Sequence, residues 1–187
     1  MENLILGNYK IENTKESEDK LYFSGYCCHF NFENLNMEIV DENSFKTFFK
    51  MYNAKQIIPV VNYNHDNNWI IGGIEDIISD STGLYMEAYL TKGVKINDEM
   101  IIPNILNHTL SGLSTEGYIQ NGYDGIVENP NGSYYVKDFL LTSVAITSTP
   151  ADYLAHLTLN SFIDQLKSKQ EEHIEEIKKV SKWYLMI

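Results

Sequence analysis

Short apolar runs alternate along the chain with clusters of Asn, Asp, Gly and Ser, a rhythm that predicts strands joined by tight turns with few helices between them. Residues 21–29, rich in aromatic and small side chains, read as a strand after a charged, turn-like stretch. Residues 56–63, 69–79 and 84–91 read as further strands of an antiparallel meander, with Asp80-Ser81-Thr82-Gly83 supplying one tight connection. Residues 110–120 and 134–147 give two more, flanking a loop over 121–133, and Pro150-Ala151 ends the sheet region. Two segments carry a helical signal instead. Apolar positions 45, 48, 49 and 52 follow the i, i+3, i+4, i+7 spacing, with Asn43 or Ser44 as N-cap, and residues 97–109 form a second helical piece that Pro103 shortens or kinks.

From Ser161 onward the pattern changes. A capping-box-like start opens a mostly charged helix with an uneven apolar stripe, followed by Trp183-Tyr184-Leu185-Met186. The division expected is one domain over 1–160 and a charged C-terminal helix or tether over 161–187. A chain of 187 residues, 43% hydrophobic, is long enough to bury a core without a disulfide or structural metal. The two cysteines, Cys27 and Cys28, are adjacent and so cannot join distant segments; they are expected as reduced thiols in a cytosolic setting. A formal charge of −12 with no basic run argues against direct binding of nucleic acid. No export signal is visible, and no stretch of apolar residues has the length of a membrane span.

Two residues stand out as chemistry. His65 ends the apolar run 57–63 in a polar turn, where an imidazole can accept a proton and return it. Ser114 lies between Gly112 and Gly117, which leave room for another backbone to approach, as a bound peptide would. Together they are the components of a histidine-activated serine nucleophile. Taken alone, the serine also fits an ordinary turn and the histidine a solvated loop. His29, His108, His156 and His173 are less favourably placed. The chain has no His-x-x-x-His helix pair, no Cys-x-x-Cys, no nucleotide-binding glycine loop and no calcium-loop spacing, so neither a metal nor a cofactor is expected.

Three segments occur in a telling order: Phe23-Ser24-Gly25-Tyr26, then Val60-Val61-Asn62-Tyr63-Asn64-His65-Asp66 with the 80–84 turn, then Leu110-Ser111-Gly112-Leu113-Ser114, closed by residues 143–151. Over residues 21–157 this resembles the tailed-phage prohead (head-maturation) serine protease family, whose fold is similar to that of the herpesvirus assemblin proteases. The resemblance implies an α+β fold with a mainly antiparallel, β-barrel-like core and a few flanking helices. It makes His65 the catalytic histidine and Ser114 the nucleophile. Seven places before Pro150-Ala151 relatives carry a glutamate, where this chain has Ser143, the third catalytic position by resemblance; Asp138 and Asp66 are alternatives. Strand alternation puts 139, 141, 143 and 145 on one side and Asp138 on the other unless a bulge intervenes. The stretch Ser114-Thr115-Glu116-Gly117-Tyr118 is also one residue longer than the family's serine-to-glycine spacing. The resemblance further implies scaffold and major capsid protein segments as substrates inside the immature phage head assembled in the host cytoplasm, self-cleavage, and a homodimer or higher self-association. The rival expectation is a catalytically silent assembly module of the same fold, resting on the missing glutamate.

Overall fold

The computed structural model describes residues 19–159. In chain order the elements are β1 (Lys20–His29), β2 (Glu38–Ile39), α1 (Lys46–Asn53), β3 (Val60–Tyr63), β4 (Asp66–Ser79), β5 (Gly83–Thr91), α2 (Ile102–Leu106), β6 (Gly112–Ile119), β7 (Ile126–Glu128), β8 (Tyr134–Val136), β9 (Phe139–Thr147) and β10 (Thr158–Leu159). Seven strands form one sheet in the order β10-β1-β5-β4-β3-β9-β6, and β2, β8 and β7 form a small second sheet. The long pairings are antiparallel, but β3 runs parallel to β9, so the strands are not one continuous meander. Phe23, Val61, Leu84, Leu113, Leu141 and Ile146 fill the core.

Local chemistry explains several boundaries. A register shift between Tyr26 and Cys28 breaks the alternation of β1, which is how two adjacent cysteines both become buried. The helix pattern over 43–52 begins with a 3₁₀ turn, Glu42–Phe45, and its N-cap is Asp41 instead of Asn43 or Ser44. Asp41 accepts from the backbone N–H groups of Asn43 and Ser44 at 2.7 and 3.1 Å, and the Ser44 hydroxyl accepts from the Asp41 N–H at 3.0 Å, a reciprocal box that neither later residue can make. Pro103 lies inside one helical stretch: a π turn over Asn97–Ile101 runs straight into α2, so the helix is irregular just before the proline, as the sequence led one to expect.

The strand expected over 134–147 is interrupted at 137–138. There the Asp138 carboxylate turns to α1 and accepts a hydrogen bond from the Thr47 hydroxyl at 2.7 Å. The loop over 121–133 contributes β7, paired to β8. The sheet wraps far enough for residues 155–159 to bridge its two ends. Leu113 donates its N–H to the Ala155 carbonyl, Leu157 donates to Ser111, and β10 pairs with β1. The charged helix expected from Ser161 lies outside the described residues.

Candidate active site

His65 owes its position to the turn joining β3 to β4. Tyr63 pairs with Asp66, leaving Asn64 and His65 as a two-residue hairpin loop. Both have positive φ, 53° and 60°, as a type I′ turn requires of its two central residues. Asn tolerates this conformation well and His better than most side chains, at a cost of order 1 kcal/mol. The turn is tied down where Asn64 donates its N–H to the Ile146 carbonyl of β9 at 3.1 Å. Asp66 accepts from the backbone and side chain of its neighbour Asn68, both at 2.9 Å.

The parallel pairing of β3 with β9 and the antiparallel pairing of β9 with β6 set the remaining groups side by side. Asn62 pairs with Ala145, which pairs with Ser114; two residues along, Glu116 pairs with Ser143. Ser114 and Glu116 are two residues apart on β6, so their side chains leave the same face. The Glu116 carboxylate accepts at 2.8 Å from the Asn62 amide and at 2.8 Å from the Ser143 hydroxyl, and its Oε2 lies 3.7 Å from Nδ1 of His65. Burial pushes the Glu116 carboxyl up. The bonds from Asn62 and Ser143, the charge on His65 and the Asn67 amide outweigh that and hold it below its ordinary value. With Nδ1 facing Glu116, the imidazole has Nε2 left for a proton taken from a serine. His65 and Ser114 line the same cleft, of about 410 Å³.

Facing walls of that cleft come from the end of β1 and from Thr149–Asp152. Asp152 Oδ2 accepts from Nδ1 of His29 at 2.8 Å and from the His29 backbone N–H at 2.7 Å. Cys27 and Cys28 also line it. Burial pushes the Cys27 thiol up to about 12 and that of Cys28 well above its ordinary value, so neither supplies a thiolate nucleophile at neutral pH.

The structure therefore brings His65 and Ser114 together and puts Ser143, which is 2% exposed, behind Glu116 as a hydrogen-bond donor. Asp138 is turned away towards Thr47 of α1, and Asp66 is engaged within its own turn. His156 approaches Ser111 at 3.3 Å, not Ser114. The glycines have internal duties: a Cβ on Gly112 would meet Pro150 Cδ at 2.6 Å, and one on Gly117 would meet the Leu140 carbonyl at 2.1 Å. Gly117 marks a register shift at which Thr142 is the extra residue on β9, the bulge that decides which side chains of that strand share the Ser143 face. Sequence reasoning missed Glu116 as a partner of His65 and the pairing of His29 with Asp152. The signal available for Glu116 was its i+2 spacing from Ser114.

Solved structures share this fold. The bacteriophage T4 capsid assembly protease aligns with a TM-score of 0.55 at 20% identity, covering 69% of this chain and 82% of that one. A KSHV protease in complex with a hexapeptide phosphonate inhibitor aligns with a TM-score of 0.52 at 12% identity, covering 74% of this chain and 64% of the other. No curated protein matches the sequence. The family model for caudovirus prohead serine proteases matches residues 8–169, most of the chain. With its serine and histidine lining one cleft of this α+β fold, the chain belongs to the caudovirus prohead serine protease family and is a serine protease of head maturation.

Proposed function

We propose that Ser114 is the nucleophile, His65 its general base and Glu116 the acid that orients and balances the imidazole. The observation that carries this reading is the approach of Glu116 Oε2 to His65 Nδ1, beside the nucleophile's own strand. His65 Nε2 takes the Ser114 proton as the hydroxyl oxygen attacks a peptide carbonyl. The imidazolium then faces Glu116 and returns the proton to the leaving amine; water hydrolyses the acyl-enzyme by the same route. Ser143 holds the carboxylate in place, so the triad's acid is supplied from β6 where relatives supply it from the strand that is β9 here. The silent-module alternative rested on the empty acid position at 143, and Glu116 removes its main support.

The substrates on this reading are scaffold and major capsid protein segments inside the immature head, and the chain itself. The domain is residues 1–160, with 161–187 a tether or self-cleavage region, and the enzyme self-associates. Labelling with a biotinylated alkyl fluorophosphonate, located by peptide mass spectrometry, tests the site. Wild type is expected to be labelled at Ser114 and Ser114→Ala not at all. His65→Gly relieves the positive φ at that turn, so it should be at least as stable as wild type by thermal melting while labelling roughly 10²–10⁴-fold more slowly. Labelling at another serine, or a folded His65→Gly that labels at the wild-type rate, removes the assignment.

A further inference from the structure

Besides Ser114 and His65, the cleft is lined by the pair His29 and Asp152, for which the proposed chemistry has no use. Asp152 is only 7% exposed. Its carboxylate accepts three N–H bonds: from the His29 ring at 2.8 Å, the His29 backbone at 2.7 Å and the Leu154 backbone at 3.0 Å. Burying a carboxylate is costly unless its lone pairs are satisfied, and here they fix the 149–154 segment to the end of β1. The same segment is held on its other side where Leu35 donates its N–H to the Ala151 carbonyl at 2.9 Å. It also lies flush against the nucleophile strand, since Pro150 fills the space a side chain would need at Gly112, two residues before Ser114.

We infer that Asp152 and His29 are positioning residues for peptide hydrolysis: their clamp sets the distance between the Thr149–Asp152 wall and Ser114, and so seats the polypeptide for attack. The inference rests on Ser114 being the nucleophile. Catalysis is sensitive to such placement, because a shift of about 1 Å in a supporting wall can cost on the order of 10²-fold in rate. His29 contributes its ring N–H to the clamp and its backbone N–H independently, so the two contributions can be separated by substitution. Asn at 29 keeps a side-chain N–H at the place of Nδ1, whereas Phe fills the space with no donor.

The experiment compares two readouts on the full-length chain. One is the rate at which the fluorophosphonate labels Ser114, which needs the serine and its base but no seated peptide. The other is kcat/KM for the peptide that wild type cuts fastest from a proteome-derived library. His29→Phe and Asp152→Asn are expected to lose roughly 10- to 100-fold in peptide cleavage while labelling within about threefold of wild type, and His29→Asn to regain most of the loss. Should Asp152→Asn not fold, the His29 pair carries the comparison, because both variants keep the backbone N–H bonds. A folded His29→Phe that cuts the peptide at the wild-type rate overturns the inference, as does a parallel fall in both readouts. Wild type that is not labelled at Ser114 overturns the nucleophile assignment itself, a result distinguishable from either of these.

Discussion

At Glu116 the two short hydrogen bonds come from Asn62 and Ser143, and the His65 ring stands further off at 3.7 Å. The carboxylate is thus positioned by amide and hydroxyl, and in the proposed role it would act on the imidazole through charge and orientation. Glu116→Gln keeps the shape and removes the charge; a fall in kcat/KM of roughly 10- to 10³-fold is expected, milder than the loss of a directly bonded triad acid. Its effect on stability has a definite sign. A carboxyl held below its ordinary value stabilises the fold above the unfolded-state pKa of about 4.3, and this contribution is lost as pH falls through the folded-state value. Thermal melts of wild type and Glu116→Gln should therefore differ at pH 6 and converge towards pH 3. Ser114 and His65 stood out in the sequence because each sits in a local run of residues that the family pattern matches, and both line the one cleft. Glu116 belongs to the same run, yet its role depends on what lies across the sheet, which no local pattern states. The His29–Asp152 pair spans most of the chain and has no local signature at all.

The element that decides the site is the β6–β9 ladder. Its register sets Glu116 opposite Ser143, and on the proposed reading an acid at either position would serve the same imidazole. Ser143→Glu alone is expected to lower activity, because two carboxylates would then face each other across one strand pair and the hydroxyl that holds Glu116 would be gone. The exchanged double variant, Glu116→Ser with Ser143→Glu, should recover at least 10-fold in kcat/KM over Glu116→Ser alone, measured with the same peptide. A double variant no better than that single variant would show that the two positions are not interchangeable. Most strands could be read from composition and turn residues, and α1 from its apolar spacing. The break at 137–138 could not, because it depends on Thr47 drawing the Asp138 carboxylate out of the strand path. Nor could the parallel pairing of β3 with β9, a contact between segments about 80 residues apart.

For the molecule as a whole, residues 19–159 contain the sheet, the core and every group assigned a role. The last of them, Thr158 and Leu159, complete the pairing of β1, so the working unit reaches that far. A chain stopped after Asn160 is expected to melt in a single cooperative transition within about 4 °C of the full-length protein, a difference worth on the order of 1 kcal/mol. It should also label at Ser114 within about twofold. A large loss of melting temperature would place part of the core in the segment removed. Hydroxyl and carboxylate ride on one strand, where a rise of about 3.3 Å per residue sets their separation whatever the rest of the protein does. The imidazole arrives separately, on the tip of a hairpin. On the proposed reading, breaking the Asn64 N–H bond to Ile146 and tilting that two-residue bend would disconnect the proton route while hydroxyl and carboxylate kept their spacing.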